Sequence, residues 1–230
     1  MLNLLRSLIF TAVSTCLLLP VASLATAGGP LTPLQIEAQS NVFMVITPQA
    51  RGSATYIGGG LFVSAWHVVD GLPEGFTFLL YNPTTGRSHQ VKVLKADATW
   101  DLVLISTKSV HVVPKGVSVA GRDVGPGDSL FMCGFGNGFA QRPPLEEKRI
   151  FSGKFESFSG RPGYFKKHWY VIDPLAGDKP AIPGDSGGGV FIVIRNQVYL
   201  VGPLWGTSAD PNNPYTIASN NSILRELLLR

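Results

Sequence analysis

Residues 181–191 read AIPGDSGGGVF, and three glycines follow directly after a serine in this stretch. Glycine adds backbone entropy to the unfolded chain and has no side chain to pack, so it weakens a strand. The continuation GVFIVI, at 189–194, nonetheless predicts a strand. We therefore expect that the backbone around Ser186 must stay free of side chains, and that Ser186 has partners elsewhere in the chain.

The whole chain has the composition of a compact globular protein. It has 230 residues, of which 45% are hydrophobic and 15% are charged, with 26 glycines and 17 prolines. These values exclude a fibrous or disordered chain, and the length fits one unit built of two similar halves. The net charge of +4 is too small to predict a nucleic-acid partner by itself.

Residues 1–27 differ from the remainder. A single positive charge, Arg6, is followed by a long apolar run that ends in Ala-Thr-Ala at 25–27. This order is typical of a secretory signal peptide, which predicts a mature chain of residues 28–230 that is secreted or periplasmic. A membrane anchor is the alternative, because the apolar run from Leu8 approaches the length that spans a bilayer.

The cysteine content limits how the fold can be stabilised. Cys16 lies within the predicted signal peptide, so Cys133 remains alone and the mature chain cannot form an internal disulfide. The core must therefore hold the fold together even in an oxidising compartment. The apolar context SLFMCGF favours a small buried side chain at Cys133 over a nucleophile.

Short apolar and β-branched runs alternate with turn residues along most of the chain, which predicts twelve strands. These cover residues 42–47, 55–58, 60–65, 75–82, 89–96, 102–107, 129–135, 148–159, 168–173, 189–194, 198–206 and 214–218. The segment GGPLTPLQ, at 28–35, is predicted as a linker. The one predicted helix is the final NNSILRELLLR, which Asn221 or Ser222 can cap and whose apolar side chains share one face.

This pattern predicts an all-β fold: two packed six-stranded antiparallel β-barrels with a short C-terminal helix. A Pro- and Gly-rich bridge, VVPKGVSVAGRDVGPGD, separates the two sets of strands. We place the first barrel in residues 28–115 and the second in residues 116–230.

Ser186 lies in a G-x-S-x-G pattern, which also marks the nucleophile elbow of α/β-hydrolases. The elbow requires a later histidine and a following helix, whereas all four histidines precede Ser186 and a strand follows it. No aspartate precedes His67, and no recognisable motif surrounds His111 or His168. The remaining order is histidine, aspartate, serine, with His67 in GGGLFVSAWHVVDG and Asp101 in DATWDLVLIST.

The motifs SAWHVV, DLVLI and PGDSGG, in this order, resemble the trypsin-like (chymotrypsin-fold) serine proteases. AIPGDSGG and GPGDSLFMCGFGNG are similar to the Deg/HtrA-type branch and related bacterial and viral proteases. The resemblance covers about residues 50–210. It implies an endopeptidase that acts on polypeptides and needs neither a metal nor an organic cofactor.

The resemblance also implies a role for each residue. Ser186 Oγ would attack the carbonyl carbon of the substrate, and His67 would take its proton through Nε2. Asp101 would hold the Nδ1–H of that ring in place. The main-chain N–H groups of Gly184 and Ser186 would form the oxyanion hole, and the two glycines after the serine would keep the backbone clear beside the reacting centre.

Substrate-binding residues are implied on two segments. One is the strand whose backbone pairs with the substrate, here Leu204, Trp205 and Gly206. The other is the wall of the specificity pocket, here Pro180, Ala181 and Ile182. Trypsin-type enzymes carry an aspartate at the position of Pro180. The uncharged pocket therefore predicts cleavage after uncharged side chains of small to medium size.

Several alternatives stay open at the level of sequence. Asp70 and Asp97 compete with Asp101 for the third role, although Asp70 is only three residues from the histidine and Asp97 precedes its strand. Trp66 stands where the family usually has a small residue, and Gly189 replaces a common proline.

Two other functions fit the same motifs: a membrane-tethered protease that processes its own polyprotein, and a catalytically silent binding protein with the protease fold.

The stretch RPGYFKKHWY, at 161–170, interleaves basic and aromatic side chains as single-stranded nucleic-acid platforms do. A hairpin with a solvated lysine edge has the same pattern. We expect the hairpin and no nucleic-acid partner.

Overall fold

The computed structural model describes residues 30–73, 75–83, 86–108, 115–125, 128–136, 149–156, 169–175, 179–208, 210 and 212–230. The predicted signal peptide, His111, His168 and residues 161–168 of the basic-aromatic stretch lie outside these residues. In the described part of the chain, no helix is long and apolar enough to cross a membrane.

The N-terminal half forms a closed barrel of six antiparallel strands in the order β1-β2-β3-β6-β5-β4. Its elements are α1 (Pro33–Ser40), β1 (Val42–Ile46), β2 (Arg51–Gly58), β3 (Leu61–Ala65), β4 (Thr77–Asn82), β5 (Arg87–Asp97) and β6 (Leu102–Thr107). Large apolar side chains fill the barrel, among them Phe43, Phe62, Leu80, Val103 and Ile105. A single 3₁₀ turn, Trp66–Val68, follows β3.

The C-terminal half contains β7 (Ser118–Val119), β8 (Ser129–Gly134), β9 (Arg149–Glu156), β10 (Trp169–Pro174), β11 (Gly189–Ile194), β12 (Gln197–Thr207), β13 (Thr216–Ser219) and α2 (Asn221–Leu229). These strands form a sheet in the order β11-β8-β9-β10-β13-β12-β7, in which β7 runs parallel to β12. A further antiparallel pairing joins β11 to β12 and links six of the strands in a ring.

The predicted all-β fold of two six-stranded units with a short C-terminal helix is therefore confirmed. The bounds of β6 and β11 are as the sequence predicts, because each is an unbroken apolar run between turn residues. The predicted strand 55–58 begins four residues earlier, at Arg51, since Gly52, Ser53 and Ala54 pair with β1 despite their small side chains. The short strand β7 lies within the segment that the sequence predicts as a bridge.

Two local expectations are wrong. The predicted linker at 28–35 ends in helix α1, which begins with a capping box between Thr32 and Gln35 and has a proline in its first turn. Helix α2 is capped by Asn220 rather than by Asn221 or Ser222, because the Asn220 side chain accepts hydrogen bonds from the main-chain N–H groups of Ser222 and Ile223.

The two halves pack against each other through a shared apolar cluster. Val63 and Leu102 contribute from the first barrel, and Phe131 and Phe191 from the second, with the two phenylalanine rings stacked at 5.4 Å. Both helices join this cluster, α1 through Ala38 and α2 through Leu224. Burial of this apolar surface holds the halves in a fixed relation, which matters because the candidate residues are divided between them.

Candidate active site

His67 and Asp101 lie at the same end of the first barrel. His67 is in the 3₁₀ turn after β3, and Asp101 directly precedes β6, which pairs with β3 so that Ala65 lies opposite Leu102. The main-chain N–H of Trp66 donates to the carbonyl of Asp101 over 3.1 Å. The pairing of two neighbouring strands therefore brings the histidine and the aspartate together.

Asp101 contacts His67 through both carboxylate oxygens. Its Oδ2 lies 2.7 Å from the ring Nδ1, and its Oδ1 accepts the main-chain N–H of His67 over 2.8 Å. Asp101 is 5% exposed, whereas the side chain of His67 is 43% exposed. The ring is therefore anchored at its buried Nδ1 edge, while its outer part reaches solvent.

The backbone of Asp101 is in the left-handed region, at a φ of 50°. This region is uncommon for residues other than glycine, and aspartate and asparagine tolerate it best. Such a conformation costs on the order of 1–3 kcal/mol and is found mostly at functional sites.

The two alternative aspartates have other surroundings. Asp97 Oδ1 accepts the main-chain N–H groups of Thr99 and Trp100, and its Oδ2 lies 3.5 Å from Arg230. Asp70 is exposed at the end of the turn that follows the histidine. Of the three candidates, the structure places Asp101 against the ring of His67.

Ser186 lies in a tight turn between residue 182 and β11. Asp185 organises this turn: its main-chain N–H donates to the carbonyl of Ile182 over 3.0 Å, and its Oδ2 accepts the N–H of Ile182 over 2.9 Å. Its own carbonyl accepts the N–H of Gly188 over 2.8 Å. Asp185 is fully buried, so these bonds act away from water and hold the turn firmly.

Two main-chain N–H groups in this turn have no partner among the residues that the structure describes, those of Gly184 and Ser186. Gly184 has a φ of 99°, which favours glycine strongly. Two N–H donors beside a hydroxyl are the feature that an oxyanion hole requires.

A pocket of about 290 Å³ lies between the two barrels, beside His67 and Ser186. His67, Gly184 and Ser186 line it, together with Ala50, Arg51, Val68, Ala181, Ile182, Pro183, Leu204, Gly206 and Thr207. Of the predicted substrate-binding residues, four lie in this lining. The other two lie elsewhere: Pro180 is not among the lining residues, and the ring of Trp205 stacks on Trp169 with centroids 4.6 Å apart.

The glycines after Ser186 face protein. A Cβ at Gly187, which has a φ of 82°, would overlap the carbonyl of Ser53 and the hydroxyl of Ser64, both in the first barrel. A Cβ at Gly188 would overlap the carbonyl of Cys133. These glycines are therefore required for close packing, and the expectation that they keep the backbone clear beside the reacting centre is not what the structure shows.

Ser53 is a buried residue that no sequence motif indicates. Its Oγ donates to the carbonyl of Gly184 and accepts the main-chain N–H of Phe135, each over 2.9 Å. Its main-chain N–H donates to the carbonyl of Ser186 over 2.7 Å, and its carbonyl accepts the hydroxyl of Ser64 over 2.6 Å. We call this contact of Ser53 and Ser64 with residues 184–187 the seam.

The sequence offers only an indirect signal for the seam. Gly52, Ser53 and Ala54 form a run of small residues just before a predicted strand, and small residues allow two backbones to approach closely.

Trp66, the unusual residue before the histidine, is partly buried and packs against the core of the first barrel.

His89 has the environment of a core histidine. It is 7% exposed, lies against the ring of Phe43 and is not among the residues of the pocket. Burial, with a smaller contribution from nearby Arg87, lowers the pKa of His89. This side chain is therefore neutral at neutral pH and packs as an aromatic ring.

In comparisons with known proteins, the sequence matches no protein-family profile and no curated protein. Solved structures do match. The active form of the Rv3671c protease from M. tuberculosis aligns with a TM-score of 0.65 at 16% identity, over 99% of this chain and 93% of that one. The serine endoprotease from Yersinia pestis aligns with a TM-score of 0.66 at 14% identity, over 87% and 67% of the two chains.

The HtrA-type protease AlgW, solved with a tripeptide, aligns with a TM-score of 0.63 at 16% identity. The alignment covers 84% of this chain and 60% of that one. The chain thus has the two-barrel fold of the trypsin-like and HtrA-type serine proteases. The fold that the three sequence motifs implied is confirmed.

Proposed function

We propose that this protein is a serine endopeptidase that uses His67, Asp101 and Ser186 as a catalytic triad. One observation carries the proposal: Asp101 Oδ2 lies 2.7 Å from His67 Nδ1 at a pocket that Ser186 also lines. A serine hydroxyl is a weak nucleophile unless a base takes its proton. A histidine whose other nitrogen is fixed by a buried carboxylate can act as that base.

In the first half of the proposed reaction, Ser186 Oγ attacks the carbonyl carbon of the scissile bond while its proton passes to His67 Nε2. Asp101 fixes the tautomer with the proton on Nδ1 and stabilises the imidazolium that forms. The carbonyl oxygen becomes an oxyanion, which the N–H groups of Gly184 and Ser186 can stabilise because neither has another described partner. His67 then protonates the departing amine, and the acyl group stays on Ser186 as an ester.

In the second half, water takes the place of the amine. His67 removes a proton from this water, which attacks the ester carbonyl through a second oxyanion, and the proton then returns to Ser186 Oγ as the acid leaves. The chemistry requires no metal and no organic cofactor.

The proposed substrate is a polypeptide. Its backbone would pair, as an added strand, with the part of β12 that lines the pocket at Gly206, because the N–H and the carbonyl of Leu204 are already bonded to Gly188 and Gly187. The side chain before the scissile bond would lie against Ala181, Ile182 and Leu204, where each buried Å² of apolar surface contributes about 25 cal/mol. We therefore expect cleavage after Ala, Val, Leu or Met, because an unpaired charge buried there costs several kcal/mol.

We further propose that residues 1–27 are a signal peptide, so that the mature enzyme acts outside the cytoplasm. The support is the order of one positive charge, apolar run and Ala-Thr-Ala in the sequence. N-terminal sequencing of the exported protein tests this step. Gly28 as the first residue is the expected result, and a retained N-terminus would favour the tethered form.

A serine-directed fluorophosphonate probe tests the catalytic proposal. The folded protein should be labelled at Ser186, and Ser186→Ala should remove the label. Asp97→Asn is the matched control, because it changes an aspartate near the site that does not contact His67, and labelling should persist. A folded protein with no label at Ser186 would instead support a binding protein that has kept the protease fold.

A further inference from the structure

Of the described residues that line the pocket, only Arg51 and His67 can carry a charge. It is the first residue of β2 and is partly buried. Among the residues that the structure describes, Arg51 makes no ion pair and no side-chain hydrogen bond. A guanidinium has five N–H donors in a rigid fork, so a partly buried one with no partner in a pocket is suited to a ligand.

The strand geometry places this side chain in the cleft between the barrels. Gly52 lies on the face of β2 that lines the first barrel, because its partner in β1, Val45, packs in the core of that barrel. Ser53 faces the second barrel, since its Oγ donates to the carbonyl of Gly184. Side chains at i and i+2 share one face of a strand, so Arg51 leaves β2 on the face of Ser53, about 7 Å further along.

The lining of the pocket divides into two groups that meet at His67 and Ser186. One group comes from residues 181–184 and β12 in the second barrel, and the other comprises Ala50, Arg51 and Val68 in the first. In the proposed reaction the second-barrel group holds the acyl part of the substrate. The residue that departs with the amine must therefore lie along the first-barrel group, past Arg51.

We propose that Arg51 binds an acidic side chain of the substrate, at the first or second residue after the scissile bond. This inference rests on the proposed function and deepens it, since it names a substrate class: polypeptides with Asp or Glu at one of the first two residues after the cleaved bond. The rest of the lining that the structure describes is uncharged apart from His67, so no described carboxylate of the lining competes for the guanidinium. A guanidinium and a carboxylate form two parallel charge-assisted hydrogen bonds, which an amide side chain cannot match.

The test uses two pools of octapeptides, acetylated and amidated so that no terminal charge remains. Both pools have small apolar residues at the first four positions. The acid pool has Asp or Glu at positions five and six, and the amide pool has Asn or Gln there. Binding to Ser186→Ala is measured by competition, so that no hydrolysis occurs. We expect the acid pool to bind about fivefold more tightly, and the difference to shrink at high salt.

Variants of Arg51 in the Ser186→Ala background assign the effect. Arg51→Gln should reduce the ratio of the affinities for the acid and amide pools to about one. Arg51→Lys should keep a smaller preference for the acid pool, which would show that the site still folds. Arg87→Gln is the matched control, since Arg87 also begins a strand of the first barrel but is not in the pocket. Equal binding of both pools, or a preference that survives in Arg51→Gln, would overturn the proposal.

Hydrolysis of the same pools by the unmodified protein separates this inference from the proposed function. Cleavage of both pools at equal kcat/KM would overturn the role of Arg51 and leave the peptidase intact. Acid-selective binding without cleavage of either pool would overturn the peptidase and keep Arg51 as a carboxylate-binding residue.

Discussion

The two barrels hold their candidate catalytic residues in different ways. His67 and Asp101 are fixed within the first barrel, by two hydrogen bonds between them and by the pairing of β3 with β6. Ser186 is fixed across the seam, because the carbonyl groups of Gly184 and Ser186 both accept hydrogen bonds from Ser53. The His67–Asp101 pair thus depends on one barrel, whereas Ser186 depends on the contact between two.

Because of this difference, substitutions in the His67–Asp101 pair and substitutions at the seam should have distinguishable effects. A change within the His67–Asp101 pair alters the chemistry without moving Ser186. A change at the seam moves Ser186 and the N–H group of Gly184 but leaves the pair intact. Measurements that report on the pair and on Ser186 separately can therefore test the comparison.

The largest effect is expected from Asp101→Asn. Asparagine tolerates the left-handed backbone of this position, so the fold should persist. Its amide would favour the wrong tautomer of His67, and turnover should fall about 10³- to 10⁴-fold. Steady-state kcat on a peptide substrate checks this, with Asp97→Asn as the control that changes turnover little. Equal losses in the two variants would remove Asp101 from its role.

Gly187→Ala should disrupt the seam. The new Cβ would overlap backbone and side-chain atoms of Ser53 and Ser64 and would also require a φ that alanine rarely adopts. We expect labelling of Ser186 to slow by about 100-fold and the free energy of unfolding to fall by about 2–4 kcal/mol.

The Nδ1–H proton of His67 provides the second readout for this variant. Its NMR signal should persist in Gly187→Ala, because the first barrel keeps the pair together. Gly121→Ala is the matched control, since a Cβ at Gly121 has no atom within 4 Å and its backbone is not strained. Loss of the His67 signal along with labelling would show that the pair is not independent of the seam.

Ser53→Ala should weaken the seam without a steric clash. It leaves the N–H of Phe135 and the carbonyl of Gly184 without their partner, which costs about 1–3 kcal/mol of stability because both bonds are buried. We expect kcat to fall about tenfold as Gly184 becomes less fixed. Urea unfolding and kcat measure the two effects. Ser88→Ala, on an exposed part of β5, is the control, and equal kcat in both variants would contradict a positioning role for Ser53.

The smallest effect is expected far from the seam, at Asp128. A hydrogen bond from Arg122, supported by the N–H of Gly125, holds the pKa of the Asp128 carboxyl below its usual range, against the opposing effect of burial. Because the folded pKa is the lower one, the pair stabilises the fold above about pH 4, and this contribution disappears as the pH falls below that value.

Asp128→Asn should therefore lower Tm by about 1–3 °C at pH 7 and by less at pH 3. Turnover at pH 7 should not change, since Asp128 is neither in the pocket nor at the seam. Thermal unfolding at both pH values measures the shift. A larger destabilisation at pH 3 than at pH 7 would contradict the sign of this pKa shift.

The sequence predicts well what is encoded locally. Apolar runs between turn residues predicted β6 and β11 with their bounds. Three short motifs pointed to His67 and Asp101, which are in contact, and to Ser186, which lines the same pocket as His67. Helix α1 escaped prediction because it buries only Gln35 and Ala38 and so shows little periodicity. Its capping residues were a signal that apolar periodicity does not detect.

Contacts between distant segments could not be predicted in the same way. Ser53 and Gly184 are 131 residues apart, and nothing in either segment identifies the other as its partner. The lining of the pocket also depends on contacts between distant segments. Motif positions indicated Ala181 and Leu204, but whether Trp205 faces the pocket or stacks on Trp169 depends on packing between strands.

The seam also has a consequence for the order of events during synthesis. Chains emerge from the ribosome with the N-terminal half first, and compact units generally fold in that order. The turn around Ser186 is complete only when Gly187 rests against Ser53 and Ser64, which belong to the half that is made first. A nascent or half-folded chain therefore lacks a finished turn at Ser186. Under the proposed function, assembly of the two halves acts as a built-in delay, which would keep the protein from cleaving its neighbours before it has finished folding.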